Sequence, residues 1–456
     1  MKHRTTLIFL AAALFCSSAR STAQAQTNIY TVLYDFTVSL DASVTGGVPY
    51  GALVLSGNTL YGLTTPGGEG GTIFQINTDG SDFAYLFPNF GPNAFVMSGN
   101  TLYGTLENGA LFSVNTDGSD FAVFGTNLND SHPSGLSVSD NTVYGTTTYG
   151  GTGGYGTVYS VNTDGSDFTN LHDFSYSDVG FEPYGGVILS GNTLYGTTYM
   201  GVGAAGSIFA VNADGSDFTN LYSFTPAPTG TNGNGLYPEG GLILSSNVLY
   251  GTASSGGYEA AGTVYRVNTD GSGFKLLHSF TAASGSPYYT NSDGSSPQTG
   301  LLLSGNTLYG TTYEAGAYGS GTVFSVGTDG SNFVTLHTFA AIPGPAYTNS
   351  EGGFPLGSLI MSGNTLYGTA QAGGTGAQGT VFALTLFGPS IGMTASSNQV
   401  VLTWPASPSN YILQTAPSLT SGSWSNITSG IFTSGTSCVF TNGLTSQAAF
   451  FRLLQQ

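Results

Sequence analysis

A seven-residue string returns seven times along this chain, and a chain that repeats one unit must assemble copies of one small structure. Ser56-Gly57-Asn58-Thr59-Leu60-Tyr61-Gly62 recurs from Ser98, Ser190, Ser304 and Ser362, with variants from Ser139 (S-D-N-T-V-Y-G) and Ser245 (S-S-N-V-L-Y-G). A short apolar alternation precedes each copy, such as Ala52-Leu53-Val54-Leu55 or Gly186-Val187-Ile188-Leu189. Two β-type runs joined by Gly-Asn read as a hairpin, the pair supplying the positive φ values of a tight turn. These are the first and second strands of a unit. The third and fourth follow as Gly156-Thr157-Val158-Tyr159-Ser160-Val161 and Phe168-Thr169-Asn170-Leu171-His172-Asp173-Phe174, joined through Asp164-Gly165. Asp-Gly between β-type runs is the strongest short-range hairpin signal.

That second turn occurs six times, at Asp79, Asp117, Asp164, Asp214, Asp270 and Asp329, and is missing after Val381-Phe382-Ala383-Leu384. The last unit therefore lacks a fourth strand. A spare fourth-strand pattern stands at the other end of the repeats, Tyr30-Thr31-Val32-Leu33-Tyr34-Asp35-Phe36. A ring explains both facts, because an N-terminal strand that completes the last blade leaves no open edge. The expected fold is all-β: a seven-bladed β-propeller over residues 26–388, closed by the N-terminal strand. An open stack would need capping units instead.

The S-G-N-T-L-Y-G-T-T and G-T-V-F-S-V-N-T-D-G-S-D-F segments, in this order, resemble the Gly-rich tandem repeat called GloVer, found in exported bacterial proteins. The resemblance covers roughly residues 28–387 and implies no established biochemical activity. Ile208-Phe209-Ala210-Val211-Asn212-Ala213-Asp214-Gly215-Ser216 is also similar to blades of Tol-type translocation propellers, a likeness of blade and not of task. Beyond Leu386-Phe387-Gly388-Pro389 the repeat stops, and alternating runs such as Gln399 to Trp404, Tyr411 to Thr415 and Ala449 to Leu453 predict a small β-sandwich over 389–456. Its L-T-W-P, Y-I-L-Q-T and F-F-R-L pieces resemble fibronectin-like terminal modules of verrucomicrobial exported proteins. It is read either as a stabilising appendage or as a sorting or anchoring module.

The N-terminus reads as a signal peptide over 1–25, with Lys2 and Arg4 before the apolar Leu7 to Phe15 and a small-x-small site at Ala23-Gln24-Ala25. A secreted or outer-surface location is expected, without a transmembrane segment, since no later apolar run approaches the roughly 20 residues of a spanning helix. Only Cys438 follows the expected cleavage point, so no internal disulfide is available. The same cleavage leaves Arg266, Lys275 and Arg452 against 24 carboxylates, a formal charge of −21. Nucleic acid and anionic lipid need basic clusters and are excluded as partners. Cations and neutral polymers remain, with polysaccharide or a cell-envelope or protein surface as the expected partner, and a monomer is expected.

Function is sought where the repeats differ. The repeat tyrosines Tyr61, Tyr103, Tyr144, Tyr195, Tyr250, Tyr309 and Tyr367 stand 42, 41, 51, 55, 59 and 58 residues apart, and the growth lies mostly after the fourth strand. Long loops on a rigid scaffold are where binding concentrates. Three of them share a pattern: Thr231-Asn232-Gly233-Asn234-Gly235, Thr290-Asn291-Ser292-Asp293-Gly294 and Thr348-Asn349-Ser350-Glu351-Gly352. Tyr289 and Tyr347 precede the last two, and Tyr258-Glu259 and Tyr313-Glu314 sit in second-to-third-strand loops assigned to the same face. Tyrosine rings stack on sugar faces while amides and carboxylates bond hydroxyls. Tyr258, Glu259, Tyr289, Asn291, Asp293, Tyr313, Glu314, Tyr347, Asn349 and Glu351 are thus the candidate ligand-binding residues, forming an exposed acidic and aromatic rim. The competing reading is that Asn-x-Asp-Gly only builds Asx-turns.

Three other patterns carry less. The repeat tyrosines read as packing between blades. His172, His278 and His337 share a fourth-strand position with Tyr34 and Tyr222, and a place that accepts tyrosine is not a metal site. Calcium is the one ion the Asp-Gly turns suggest, yet they lack the distal bidentate Glu of the standard loop, and no cofactor is expected. No catalytic residue is assigned, since no nucleophile elbow, zinc motif or phosphate loop is present. Glu182 and Glu239, each beside a proline that opens a first strand, with Glu259 and Glu314, are where an enzyme would hide.

Overall fold

The structure, a computed structural model, describes residues 28–37, 46–66, 71–87, 91–106, 108–124, 133–178, 180–202, 205–226, 231–285, 288–386, 392–395, 399–405, 411–416, 424–434, 437–443 and 450–455. The expected signal peptide lies outside them. The described secondary structure is β throughout, without a helix. One compact unit spans Tyr30–Leu384, and Thr385–Gln456 belongs to another.

Turn chemistry builds the repeat. In the first hairpin Ser56 pairs with Thr59, and Gly57 takes φ 58° with open space where a Cβ would stand. Asp140 and Ser246 adopt φ 50° and 54° at the same place, which explains why non-glycine residues are tolerated there. The Asn does not enter the left-handed region, so only the first residue of the pair supplies positive φ, contrary to the expectation for both. Its carbonyl is used instead: Asn58 O accepts the Thr78 N–H at 2.8 Å, and Asn141 O accepts that of Thr163 at 2.8 Å. This bond ties the first turn of a unit to its second. In the second turn Asn162 N–H donates to Ser166 O, Ser166 Oγ to Asp164 Oδ1 at 2.6 Å, and Asn162 Nδ2 to Asp167 Oδ2 at 2.8 Å. Asp167 is left-handed at φ 53°, as are Asp82, Asp120, Asp217, Asn332 and Gly273 at its equivalents. Asp, Asn and Gly are the residues that bear that conformation most easily.

Among the described residues, seven four-stranded sheets result within the larger unit. Six take four consecutive strands, as in Val187–Ser190, Thr193–Thr198, Ser207–Asn212 and Thr219–Ser223. The remaining sheet orders Ile29–Thr37 beside Ala377–Thr385, then Thr365–Ala370 and Ile360–Ser362. The N-terminal strand thus supplies the outer strand that the last repeat lacks. Asp35 reinforces it by accepting the Thr375 N–H at 2.8 Å, and Tyr30 donates to Glu351 O at 2.7 Å.

Each sheet buries one face against the next. Tyr61, Leu63 and Ile73 pack with Leu102 and Phe112 of the following sheet, and Tyr250 and Val264 with Leu308 and Phe324. The repeat tyrosines therefore work as packing groups where these clusters include them. The neighbouring Gly of the string is forced by a ring on the third strand: a Cβ on Gly196 would stand 2.5 Å from Phe209 Cζ. Fourth-strand aromatics cross between sheets in a second layer. Tyr34 stacks on Phe83, His172 on Phe218, Tyr222 on Phe274 and His278 on Phe333, with centroids 3.4–3.9 Å apart and planes within 6°. Each such Phe follows an Asp-Gly turn. For His337 the partner is Tyr30, at 4.1 Å and 9°, so the N-terminal strand fills the place of that Phe too. Flat stacking explains why Tyr and His interchange at this position.

The second unit has a four-stranded sheet, ordered Gly392–Ala395, Gln399–Pro405, Ser437–Gly443 and Ile431–Ser434, and a three-stranded one, ordered Ser425–Asn426, Tyr411–Ala416 and Phe450–Gln455. Leu402 and Trp404 of the first share a core with Leu413 and Leu453 of the second. The two sheets of this unit thus share one apolar cluster.

Candidate functional site

The three shared loops are built from their asparagines inward. Asn291 Nδ2 donates to Thr281 O at 2.7 Å and Gly294 O at 2.9 Å, while its Oδ1 accepts the N–H of Gly294 at 2.7 Å and of Gly316 at 2.9 Å. Asn349 makes the same set to Ala340, Gly352 and Gly374, and Asn232 to Thr225, Gly235 and Gly257. Each amide has its hydrogen-bonding capacity taken by backbone. Asn291 and Asn349 are therefore loop architecture, as the Asx-turn reading holds, and have no free edge to offer a hydroxyl.

The third loop position is also turned inward. Asp293 is 5% exposed, so the expected exposed acid is absent there. Its carboxylate meets His278 Nε2 at 3.0 Å and accepts from the Thr281 hydroxyl. Burial alone would raise its pKa, but those donors, with the Thr281 N–H, outweigh it and hold the carboxyl below its ordinary range. Glu351 lies 3.4 Å from His337 Nε2 and accepts the Ala340 N–H at 3.1 Å; the imidazole is the main influence holding it low, against partial burial. In the third loop Asn234 donates to Tyr222 OH at 2.9 Å. The acid or amide of each loop thus reaches the stacked fourth-strand ring of its own repeat. The pairs match chemically: His with Asp, His with Glu, Tyr with Asn. That matching was present in the sequence as a signal linking two features read separately.

Other candidates divide. Tyr313 is half-buried, its ring 5.3 Å from Phe354 and its hydroxyl accepting from Gln371 Nε2 at 2.7 Å. It stands where Ser254 stands in the preceding sheet, because Tyr313 N–H bonds Ser296 O as Ser254 N–H bonds Tyr237 O. Tyr258 therefore has a different place in its loop, and the two tyrosines are not equivalents. Glu259 is exposed but accepts the Ala282 N–H, and Glu314 is exposed. What stands out in solvent is aromatic: Tyr258 and Tyr289 at 68%, Tyr347 at 63%, with Tyr318 at 53%. Tyr318 lies outside the sequence assignment, although it follows Tyr313 and Glu314 in the same loop.

A second group gathers where the first strands of neighbouring sheets touch. A Cβ on Gly185 would meet Gly240 O at 2.8 Å, and one on Gly186 would meet Gly135 O at 2.5 Å, so these strands approach through glycine backbone. Beside those glycines stand Glu182 and Tyr184, flanking Pro183, and Tyr237 and Glu239, flanking Pro238. The Tyr184 and Tyr199 rings meet edge-on at 5.0 Å, those of Tyr199 and Tyr237 lie 4.9 Å apart with their planes tilted by 32°, and the Tyr149 and Tyr184 hydroxyls lie 3.4 Å apart. Ser254 Oγ donates to Glu239 Oε1 at 2.6 Å. Burial raises the pKa of Glu239 and of Glu182, and the phenol of Tyr199 is raised first by burial and then by the charges of Glu239, Tyr237, Glu182 and Tyr149. Among the described residues no group of three or more His, Cys, Asp and Glu gathers that could hold a metal, and no helix is long and apolar enough to cross a membrane.

The sequence signature of the Gloeobacter/Verrucomicrobia repeat matches residues 95–291 and 287–436. No curated protein matches the chain. Three solved structures are similar in part: the computationally designed protein Ika8 (14% identity, 77% of this chain and 100% of that one, TM-score 0.43), a mutant puromycin hydrolase complexed with PGG (13%, 80% and 60%, 0.46), and a protein described as a TolB from Agrobacterium tumefaciens (14%, 67% and 95%, 0.38).

Proposed function

This chain belongs to the Gloeobacter/Verrucomicrobia repeat family, and from that premise we propose that residues 30–384 form a closed seven-bladed propeller acting outside the cell as a non-catalytic binding scaffold. Closure is supported by contacts between the first and last repeats. Gly51 O accepts from Thr369 Oγ1 at 3.1 Å and lies against Gly357, while Phe36 and Val381 share a core with Leu53, Leu60 and Phe74. The export part rests on the basic, then apolar, then small-residue pattern of residues 1–25.

The observation that carries the binding part is the display of Tyr258, Tyr289 and Tyr347 on loops whose bases are pinned. A solvent-facing tyrosine contributes little to folding, whereas a ring held out on a rigid loop loses little entropy on contact and suits the apolar face of a sugar. The ligand class is therefore a neutral, hydroxyl-rich polymer, polysaccharide or envelope glycan, met through rings rather than through the loop amides. The test is retention on insoluble polysaccharide and on isolated envelopes, measured for the wild type and for Tyr289→Ala with Tyr347→Ala. Weakened retention with an unchanged melting curve supports the reading. Full retention of the double variant on every surface that holds the wild type would sink it.

A further inference from the structure

We infer that Tyr149, Tyr184, Tyr199 and Tyr237, together with Glu182 and Glu239, form a binding site for a small organic cation, a ligand presenting an ammonium group. Four phenol rings and two carboxylates converge on one place, and Tyr149 and Tyr184 remain 39% and 40% exposed, so the rings are open to a visitor. Ring faces attract a cation through their quadrupoles, most strongly where water is partly excluded. A carboxylate taken out of water loses hydration that only a cation restores in full. Both carboxylates here are partly withdrawn from water, Glu239 more than Glu182, and among the described residues neither forms an ion pair with Lys, Arg or His. Lys275 is engaged elsewhere, its Nζ donating to Asp329 O at 2.6 Å. A neutral sugar would stack on the rings and donate hydroxyls to the carboxylates but leave their charge unbalanced, and an anion would be repelled.

Rigidity is built in beneath the side chains. Glu182 and Tyr237 are left-handed, at φ 58° and 59°, directly before Pro183 and Pro238, a backbone state costing about 1–3 kcal/mol that persists only where surroundings enforce it. They are enforced: Glu182 N–H bonds Tyr155 O and its C=O accepts from Tyr199, while Tyr237 N–H bonds Ala205 O and its C=O accepts from Ser254. The same left-handed place recurs at Ser296 and Phe354, so the backbone device belongs to the repeat. The chemistry does not. Where two neighbouring repeats carry Glu182-Pro183-Tyr184 and Tyr237-Pro238-Glu239, the next two carry Ser296-Pro297-Gln298 and Phe354-Pro355-Leu356. A scaffold requirement would be copied around the repeats, whereas an asymmetric acid and aromatic pairing on a shared backbone is what a ligand site needs.

The test is a calorimetric titration of the full chain with choline, with n-butylammonium, and with 3,3-dimethylbutan-1-ol, a neutral isostere of choline. Saturable binding of an ammonium probe is expected, with the isostere about tenfold weaker or more. Glu239→Gln keeps an acceptor for Ser254 while removing the charge, and is expected to weaken ammonium binding about tenfold; Tyr199→Leu removes the central ring and is expected to do the same. A near-ultraviolet dichroism spectrum and a melting curve accompany each variant, and Glu239→Gln alone decides if Tyr199→Leu does not fold. Equal binding of choline and its isostere, no saturable binding of either ammonium probe, or unchanged affinity in a folded Glu239→Gln would overturn the assignment.

Discussion

The Asp-Gly turns and the three clamped long loops use the same side-chain chemistry to opposite effect. At the Asp-Gly turns, Asn162, Asp164 and Ser166 bond one another within a handful of residues, and the acidic residues stay exposed. At the long loops, Asn291 fastens segments 10 and 25 residues away, and the acid that follows it is buried on a histidine. A turn that closes on itself leaves nothing free to vary, so it repeats almost unchanged. A loop clamped at its base can lengthen beyond the clamp, and tyrosines occupy what is left over.

That contrast breaks most visibly at glycine. Gly294 and Gly305 are both left-handed, at φ 94° and 59°, but a Cβ on Gly294 would stand 2.0 Å from Thr312 Oγ1 while Gly305 has open space. Gly294→Ala is expected to cost about 3 kcal/mol or more, strain and overpacking together, and Gly305→Ala about 1–2 kcal/mol. Denaturant melts of the two variants compare loop base and turn directly. Equal costs would mean that the loop bases are no tighter than the turns.

Asn291→Ala comes next, with an expected loss of about 2 kcal/mol from backbone groups left without partners, against about 1 kcal/mol for Asn162→Ala at an exposed turn. Hydrogen exchange at Gly294 and Gly316, whose N–H groups Asn291 accepts, should rise in the first variant alone.

Acid offers a smaller and signed test. Asp293 and Glu351 have pKa values below those of the unfolded chain, so their contribution is complete above the ordinary carboxylate value near 4 and is lost as pH falls through the lower folded values. The midpoint of melting should therefore drop below about pH 4 more steeply in the wild type than in Asp293→Asn. Glu239 has the opposite sign: its raised pKa subtracts stability once pH exceeds the unfolded value, in full above the folded one. Glu239→Gln should melt slightly above the wild type at pH 7 and lose that advantage near pH 4.

The smallest expected effect on stability belongs to the double change at Tyr289 and Tyr347, within about 0.5 kcal/mol, because exposed rings give up little on truncation.

Most of the fold was legible because turn chemistry is local. Gly57, Asp164-Gly165 and the alternating runs each specify a hairpin within about ten residues, and the orphan Tyr30-to-Phe36 pattern revealed its distant partner by matching Phe168 to Phe174 position for position. The candidate site was legible only in part. Tyr258, Tyr289 and Tyr347 point to solvent as a loop reading implies, but whether a loop acid faces out or in depends on what the fourth strand places beneath it. His278 draws Asp293 inward, and no pattern within the loop itself reports this. The cluster of tyrosines with Glu182 and Glu239 was harder still, since Tyr184, Tyr199 and Tyr237 come from three separate stretches that converge only when neighbouring sheets are laid side by side.

The strand Ile29–Thr37 is the earliest described element to be synthesised, yet its sheet partner Ala377–Thr385 arrives some 340 residues later, the separation seen between Asp35 and Thr375. Six sheets can zip from contiguous hairpins as the chain emerges, while the seventh must wait for its remaining strands and then bear the entropy of joining distant ends. Until that moment the nascent molecule carries two unsatisfied strand edges of matching register, which at high concentration can pair with another copy instead of with each other. Assembly of this sheet is consequently the step most sensitive to protein concentration, and the one at which a swapped dimer would form.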